Sequence, residues 1–174
     1  MKKLIVYNSD TGFTKKYAEW IAAELDCEAV PIKEYLGGVQ TCDVLIYGGS
    51  LLASKIKGLD KIKKKPNFRQ LVVYATGATP QSAEQVISNV QKNNFSESEM
   101  TEIPFYYFEG GIDYENMNFI PRKVLQTIYK SLKKKTERTD EETGMMEAIR
   151  QSKDMTRKEY IDPLVNYINN EIFK

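Results

Sequence analysis

Histidine is absent from this sequence of 174 residues. Its absence excludes Ser-His-Asp and Cys-His catalysis, and it removes the commonest metal ligand and the commonest general base. The only two cysteines, Cys27 and Cys42, do not form a C-x-x-C motif, so neither a disulfide framework nor a zinc site is expected. No metal site is therefore predicted, and an enzyme of this composition would depend on a bound cofactor.

Long hydrophobic runs are also missing near the N-terminus. The stretch MKKLIVYNSD contains a short apolar run, Leu4–Tyr7, which is too short for a signal peptide or a membrane span. The pattern predicts a cytoplasmic protein. The 25 basic and 24 acidic residues nearly balance, so the net charge does not predict a nucleic-acid partner.

Short apolar runs alternate with amphipathic patterns along the chain. Such runs are typical of strands buried on both faces of a parallel sheet, and helical stripes such as Tyr17, Ile21 and Leu25 separate them. The alternation predicts an α/β fold with right-handed crossovers, formed as a single domain over residues 1–174. The five predicted strands are Leu4–Tyr7, Glu28–Ile32, Val44–Tyr47, Leu71–Tyr74 and Ile103–Phe108.

Three of the predicted strands end in loops rich in small, hydroxyl-bearing and glycine residues. These loops are Ser9–Thr14, Gly48–Ser54 and Thr76–Thr79. Ligands of open parallel sheets bind beyond the carboxyl ends of the strands, near the point where strand order reverses. The three loops are therefore predicted to meet at a ligand site.

The first loop has the components of an anion site. The helix that follows offers unpaired N–H groups and a partial positive charge at its N-terminus. Ser9, Thr11 and Thr14 add hydroxyl donors, and Gly12 permits a positive φ. Neither G-K-[ST] nor G-x-G-x-x-G is present, which argues against an NTPase or dinucleotide site. A helix N-cap with additional hydroxyls is the alternative, although capping needs only one such residue.

Residues 9–14, with the sequence SDTGFT, resemble the [ST]-x-T-G-x-T phosphate loop of flavodoxins, and they follow the first strand as in that family. The resemblance implies a doubly wound sheet of five parallel strands in the order 2-1-3-4-5, with FMN bound non-covalently. It implies that Ser9, Thr11, Gly12 and Thr14 hold the phosphate, and that Asp10 and Phe13 contribute mainly backbone N–H groups. The flavin carries the chemistry in such proteins, so no catalytic side chain is expected. The residues expected to flank the isoalloxazine ring are Ser50, Leu51, Leu52, Ala53, Thr76, Gly77 and Ala78.

The ring-flanking loops depart from the family pattern. No aromatic residue lies in Gly49–Gly58 or Thr76–Ser82, where many flavodoxins stack Trp or Tyr on the ring. Leu51, Leu52 or Ile56 is expected to cover the ring instead, with Tyr114 as a distant candidate. Gly48-Gly49 is expected to give the peptide flexibility that accompanies flavin redox changes. The neighbouring lysines form either a solvated face or a docking site for an acidic partner; they are Lys55, Lys57, Lys61, Lys63, Lys64 and Lys65.

Residues 114–158 are longer than a strand-to-helix connection requires, and they are predicted to form a helical insertion before the last helix. Residues 119–135 are predicted to be a basic amphipathic helix, and a second helix is predicted near Met145–Ile149. The first helix has two interpretations. It lies on the inner face of an anionic membrane, or it packs against this domain or a second subunit in a homodimer.

Three functions remain open from the sequence. The first is a flavodoxin-like redox protein that transfers electrons to a partner protein or reduces a small-molecule acceptor as an FMN-dependent oxidoreductase. The second is a quinone-dependent protoporphyrinogen IX dehydrogenase, because Phe108–Tyr114 and the insertion resemble the menaquinone-linked oxidases of that type. Lys55, Lys57, Arg122 and Lys123 would then bind the propionates. The third is a non-redox module that has lost flavin binding.

Overall fold

The computed structural model describes residues 1–38, 40–116, 119–139, 142–143, 146, 149, 151–170 and 172, apart from the side chains of residues 120 and 121. The strands are β1 (Lys3–Asn8), β2 (Glu28–Pro31), β3 (Cys42–Leu52), β4 (Lys55–Ile56), β5 (Phe68–Gly77), β6 (Phe105–Glu109), β7 (Gly111–Ile112) and β8 (Lys153–Asp154). The helices are α1 (Phe13–Leu25), α2 (Ile32–Gly37), α3 (Leu59–Lys63), α4 (Glu84–Asn94), α5 (Glu97–Glu102), α6 (Phe119–Lys134), a 3-10 turn (Lys158–Ile161) and α7 (Asp162–Asn170).

The central sheet is parallel, with the strand order β2-β1-β3-β5-β6. This is the predicted order 2-1-3-4-5 once the two-residue β4, which pairs antiparallel with the end of β3, is left out of the numbering. The order reverses between β1 and β3. The register pairs Asn8 with Gly49, so the segments after β1 and β3 emerge side by side. The predicted doubly wound flavodoxin-like sheet is therefore confirmed.

The sheet has one hydrophobic core on each face, and the alternation of side chains along β1 contributes to both. Leu4 and Val6 point to one face of the sheet and pack with α2, α3 and α4. Ile5 points to the other face and packs with α1 and α7. All three side chains are at most 1% exposed, which is the arrangement that the uninterrupted apolar run predicts.

Several elements differ from the sequence-based prediction, which did not include the short elements α2, α3, β4, β7 and β8. Strand β3 continues through Gly48, Gly49 and Ser50, because both glycines have parallel partners on β1 and β5. Helix α5 was not predicted, and a capping box between Ser96 and Glu99 starts it. The helix predicted near Met145–Ile149 lies almost entirely outside the described residues.

The two ends of the insertion are joined to each other by a small separate sheet. Strand β7 pairs antiparallel with β8 through Gly111 with Asp154 and Ile112 with Lys153. Between these strands lies α6, whose bounds agree with the predicted basic helix. In the described part of the chain, no helix is both long and apolar enough to span a bilayer.

Candidate functional site

A cleft of about 240 Å³ opens at the carboxyl edge of the sheet. This volume is slightly below the roughly 300–1,000 Å³ that is usual for small-molecule sites. All three predicted loops contribute to its lining. Ser9 and Gly12 belong to the first loop but are not among the described lining residues. The predicted residues that line the cleft are Asp10, Thr11, Phe13, Thr14, Ser50, Leu51, Leu52, Ala53, Thr76, Gly77 and Ala78.

The N-terminus of α1 faces this cleft without a side-chain cap. Gly12 occupies the N-cap position with φ of +92°, and the first turn contains no acidic residue. Because a Cβ at Gly12 would have no atom within 4 Å, the backbone conformation rather than lack of space favours glycine here. The first backbone hydrogen bond of the helix runs from Lys16 N–H to the Gly12 carbonyl. The N–H groups of the first turn therefore have the arrangement of an anion site.

The loop hydroxyls have different roles. Ser9 Oγ accepts a hydrogen bond from Gly12 N–H at 3.1 Å, so this side chain shapes the loop. Thr14 Oγ1 lies 2.6 Å from Thr76 Oγ1, and both residues are buried. The Thr14 carbonyl also accepts a hydrogen bond from Tyr74 Oη at 3.0 Å. Thr14 thus connects the first loop to the end of β5.

Asp10 contributes its side chain as well as its backbone to the site. Lys57 Nζ lies 2.7 Å and 2.6 Å from the two carboxylate oxygens of Asp10, and Ser50 Oγ donates to this carboxylate at 3.3 Å. The side chains of Asp10 and Lys57 are 20% and 32% exposed. This ion pair was not predicted, because its members are 47 residues apart and only the β1–β3 register brings them together.

The second wall of the cleft comes from residues that the sequence analysis missed. They are Gly110, Gly111, Ile112 and Asp113 after β6, and Val124 and Leu125 of α6. The ring of Phe13 lies against this segment, since a Cβ at Gly111 would be 2.9 Å from Phe13 Cζ. Phe13 therefore lines the cleft with its side chain and not only its backbone. The one available signal was the F-E-G-G-I-D sequence, which marks a tight loop after the last strand.

Two of the expected ring-covering residues are placed elsewhere. Ile56 is 4% exposed and packs in the core, so it does not reach the cleft. Tyr114 is not among the described lining residues, and its ring lies 5.6 Å from the guanidinium carbon of Arg122. Leu51 and Leu52 do line the cleft. Of the expected candidates, these two leucines are the ones in position to contact a ring.

Gly48-Gly49 has a packing role within β3, and its flexibility during flavin redox changes stays a prediction. A Cβ at Gly48 would overlap the ring of Tyr74, and one at Gly49 would be 2.5 Å from Ile56 Cγ2. Both residues are paired on each side within the parallel sheet. The two glycines therefore let large side chains pack directly against the backbone of β3.

Most of the lysines near the site make internal contacts. Lys63 Nζ lies 2.8 Å from Glu99 Oε2, and this hydrogen bond lowers the pKa of Glu99. Lys65 donates to three carbonyl groups at the end of α2, and Lys55 donates to the Asn93 carbonyl. With Lys57 bonded to Asp10, four of the six lysines stabilise the fold, which favours a structural role over a docking site for an acidic partner.

The loop after β5 is held by the hydroxyl of buried Tyr107 and by the half-buried carboxylate of Glu109. Tyr107 Oη donates to the Thr79 carbonyl at 2.8 Å, and burial raises the pKa of Tyr107 to about 12 despite this bond. Glu109 accepts hydrogen bonds from Gln81 N–H and from Tyr160 Oη. Tyr107 therefore stays protonated near neutral pH and acts as a positioning donor. Among the described residues, no cluster of His, Cys, Asp and Glu could hold a metal ion.

Several solved structures are similar to this chain at low identity. The Trp repressor binding protein from Bacillus subtilis is 16% identical, with 67% of this chain and 88% of that chain covered and a TM-score of 0.45. A flavodoxin, WrbA-like protein from Agrobacterium tumefaciens is 13% identical, with coverage of 86% and 93% and a TM-score of 0.40. A flavodoxin from the domain Archaea is 17% identical, with coverage of 62% and 85% and a TM-score of 0.38.

Sequence comparison gives a more direct result. No curated protein matches the chain. The family model described as flavodoxin domain matches residues 4–139, which include the first loop, the strands β1–β7 and helix α6. Because this match covers most of the sequence, the chain belongs to the flavodoxin domain family.

Proposed function

We propose that this chain is an FMN-binding, flavodoxin-like redox protein that acts in the cytoplasm. The observation that carries the proposal is the cleft, in which an α1 N-terminus without a side-chain cap adjoins apolar walls from two other loops. A phosphate suits the helix N-terminus, and a flat conjugated ring suits the apolar walls. Residues 1–174 act as one FMN-binding domain in this proposal, with the insertion supplying part of the cleft.

The donor set fits the phosphate of FMN. The N–H groups of the first α1 turn and the hydroxyl of Thr11 are available on the cleft side of the loop. Ser9 and Thr14 fix the loop shape, with Thr14 bonded to Thr76. A neutral cradle of this kind binds a phosphate through dipoles and hydrogen bonds, without a lysine inside the loop.

The apolar walls fit the ring. Leu51, Leu52 and Ala53 line one side, and Ile112, Val124 and Leu125 line the side formed by the insertion. FMN, when bound, supplies the one- and two-electron redox chemistry. These side chains exclude water from the ring. The electron acceptor is a redox partner protein or a small molecule.

FMN titration tests this function. The purified protein should shift the absorbance and quench the fluorescence of FMN, with riboflavin as the ligand that lacks the phosphate. Thr11→Ala should weaken FMN binding about tenfold, the loss of one hydrogen bond to a charged group, and leave riboflavin binding nearly unchanged. Thr101→Ala, on the exposed face of α5, is the matched control.

The titration also decides between redox and non-redox functions. Absence of FMN binding at roughly tens of micromolar, where a specific site is expected to be occupied, would support the non-redox module. Equal loss of both ligands in Thr11→Ala would contradict the assignment of the phosphate to this loop.

The quinone-dependent protoporphyrinogen IX dehydrogenase remains a distinct alternative. Its propionates need free cations, but Lys57 pairs with Asp10 and Lys55 donates to a backbone carbonyl. Arg122 donates to the carbonyls of Tyr114 and Glu115. These contacts favour the general redox protein. Anaerobic mixing of the FMN-loaded protein with protoporphyrinogen IX tests the alternative, because rapid bleaching of the flavin spectrum is expected of a dehydrogenase.

A further inference from the structure

We propose that Lys57 determines the selectivity of the cleft for a phosphorylated ligand, by neutralising a carboxylate that the phosphate loop itself carries. This inference rests on the proposed function and names a residue that the flavin-binding assignment did not include. Lys57 lies outside the loop and outside the cleft lining. It acts through Asp10, so its role is that of a positioning and charge-compensating residue.

The loop presents an electrostatic problem. Asp10 lines the cleft beside the N-terminus of α1, where the phosphate is proposed to bind. A phosphate monoester carries about −1.5 to −2 charges at neutral pH, so an uncompensated carboxylate next to it would repel it. The other charged residue among those that line the described cleft is Asp113, which is also acidic. The charged side chains of the lining therefore oppose the attraction that the helix N-terminus exerts on an anion.

The side-chain amine of Lys57 neutralises the Asp10 carboxylate by direct contact. It contacts both oxygens of Asp10 at 2.7 and 2.6 Å, and the hydroxyl of Ser50 donates to one of them. The pair is mostly shielded, with 20% and 32% of the two side chains exposed. Ion pairs in such partly desolvated positions are screened less by salt than fully exposed pairs.

The backbone of Lys57 is fixed, so its position is a property of the fold. Its N–H donates to the Ser50 carbonyl at 3.0 Å, and its own carbonyl accepts a hydrogen bond from Tyr47 Oη. Burial raises the pKa of Tyr47, which keeps this hydroxyl protonated as a donor. The segment that follows β4 thus places a cation beside the phosphate loop.

A double-mutant cycle on two ligands tests the proposal. Dissociation constants for FMN and riboflavin are measured for the wild type, Lys57→Met, Asp10→Asn and the double variant. Lys57→Met should weaken FMN binding about 10- to 100-fold, as expected when one member of a shielded charge pair is removed. Riboflavin binding should change less than about threefold, and the double variant should recover FMN affinity to within about threefold of the wild type.

Control variants distinguish an effect of the Lys57 charge on binding from an effect on folding. Lys61→Met removes the same charge from an exposed position on α3 and should leave both ligands unaffected. Lys57→Arg keeps the charge and should retain most FMN affinity, and thermal melts of the ligand-free variants report folding directly. Equal loss of FMN and riboflavin in Lys57→Met, or no recovery in the double variant, would overturn the role of Lys57. Failure of the wild type to bind FMN would instead overturn the proposed function.

Discussion

The two walls of the cleft are built in different ways. The first wall, formed by the loop after β1 and the end of β5, is joined to the core by the buried Thr14–Thr76 contact and by Tyr74. The second wall, formed by residues 110–113 and α6, is held by a hydrogen bond from Gly110 N–H to the Gly77 carbonyl, by a two-residue ladder and by a surface ion pair between Lys16 and Asp154. Phe119 of α6 is 70% exposed.

Because the two walls differ in this way, they are suited to different roles in the same site. A wall fixed by buried hydrogen bonds offers its N–H groups to an anion without reorganisation, which favours tight and selective binding. A wall on a peripheral segment changes more easily, because fewer buried contacts oppose its movement. We expect the first wall to determine cofactor affinity, and the second wall to determine which partner or acceptor approaches the ring.

The largest loss of stability is expected from a substitution in β3, where the first wall meets the sheet. Gly48→Ala would place a methyl group inside the ring of Tyr74, so Tyr74 would have to move away from Thr14. The free energy of unfolding should fall by about 3 kcal/mol or more. Chemical denaturation measures the loss. Gly37→Ala is the control, because its Cβ would have no atom within 4 Å; a loss of similar size there would remove the packing explanation.

The buried hydroxyl pair should give the next largest effect. Thr14→Val leaves the Thr76 hydroxyl without its partner in a buried position, which should cost about 1–3 kcal/mol of unfolding free energy. The double variant Thr14→Val/Thr76→Val removes both polar groups and should be more stable than the sum of the single effects predicts. Strictly additive losses in denaturation experiments would show that the contact contributes nothing specific.

Substitutions on the exposed face of α6, in the second wall, should change the stability little. Phe119→Ser alters an exposed side chain, so the unfolding free energy should stay within about 0.5 kcal/mol of the wild type. The same residue tests the predicted membrane contact of residues 119–135. We expect the protein to sediment with anionic vesicles at low salt, to be released as salt rises, and to bind several-fold less after this substitution. Binding to zwitterionic vesicles, or none to either kind, would contradict that interpretation.

The smallest effect concerns the ion pair at the base of the insertion. Burial opposes ionisation of Asp154, but hydrogen bonds from Lys16 and Thr156 outweigh it and lower the pKa of Asp154. A lowered folded-state pKa stabilises the protein above the unfolded value, near 3.9, and the contribution disappears as the pH falls through the folded value. Asp154→Asn should therefore lower the free energy of unfolding by roughly a few tenths of a kcal/mol at pH near 6. The difference should narrow toward pH 3; a constant difference would point to packing.

Much of the fold was predictable because apolar runs and helical stripes report burial directly. The run Leu4–Tyr7 marked β1, and the SDTGFT sequence located the loop that lines the cleft. The full length of β3 was not predictable, because Gly48-Gly49 is typical of a loop. The positions of Tyr74 beside Gly48 and of Ile56 beside Gly49 show that the glycines are needed for packing.

The second wall could not be predicted for a different reason. Val124 and Leu125 belong to an apolar helical stripe, and periodicity shows which residues share a face without showing what that face contacts. The Asp10–Lys57 pair likewise depends on the β1–β3 register, which no local pattern contains. Ile56 and Tyr114 were poor candidates for ring contact, because proximity in sequence to a loop does not give the direction of a side chain.

The β7–β8 pairing has a consequence for how this protein can be altered. It brings Ile112 and Lys153 onto adjacent strands, so the segment 113–152 leaves and returns at one point of the molecule. The entropy of closing such a loop grows only with the logarithm of its length, by roughly 0.6 kcal/mol for each doubling. The length of the segment can therefore change at little loop-closure cost to the sheet, provided that α6 keeps Val124 and Leu125 in the cleft.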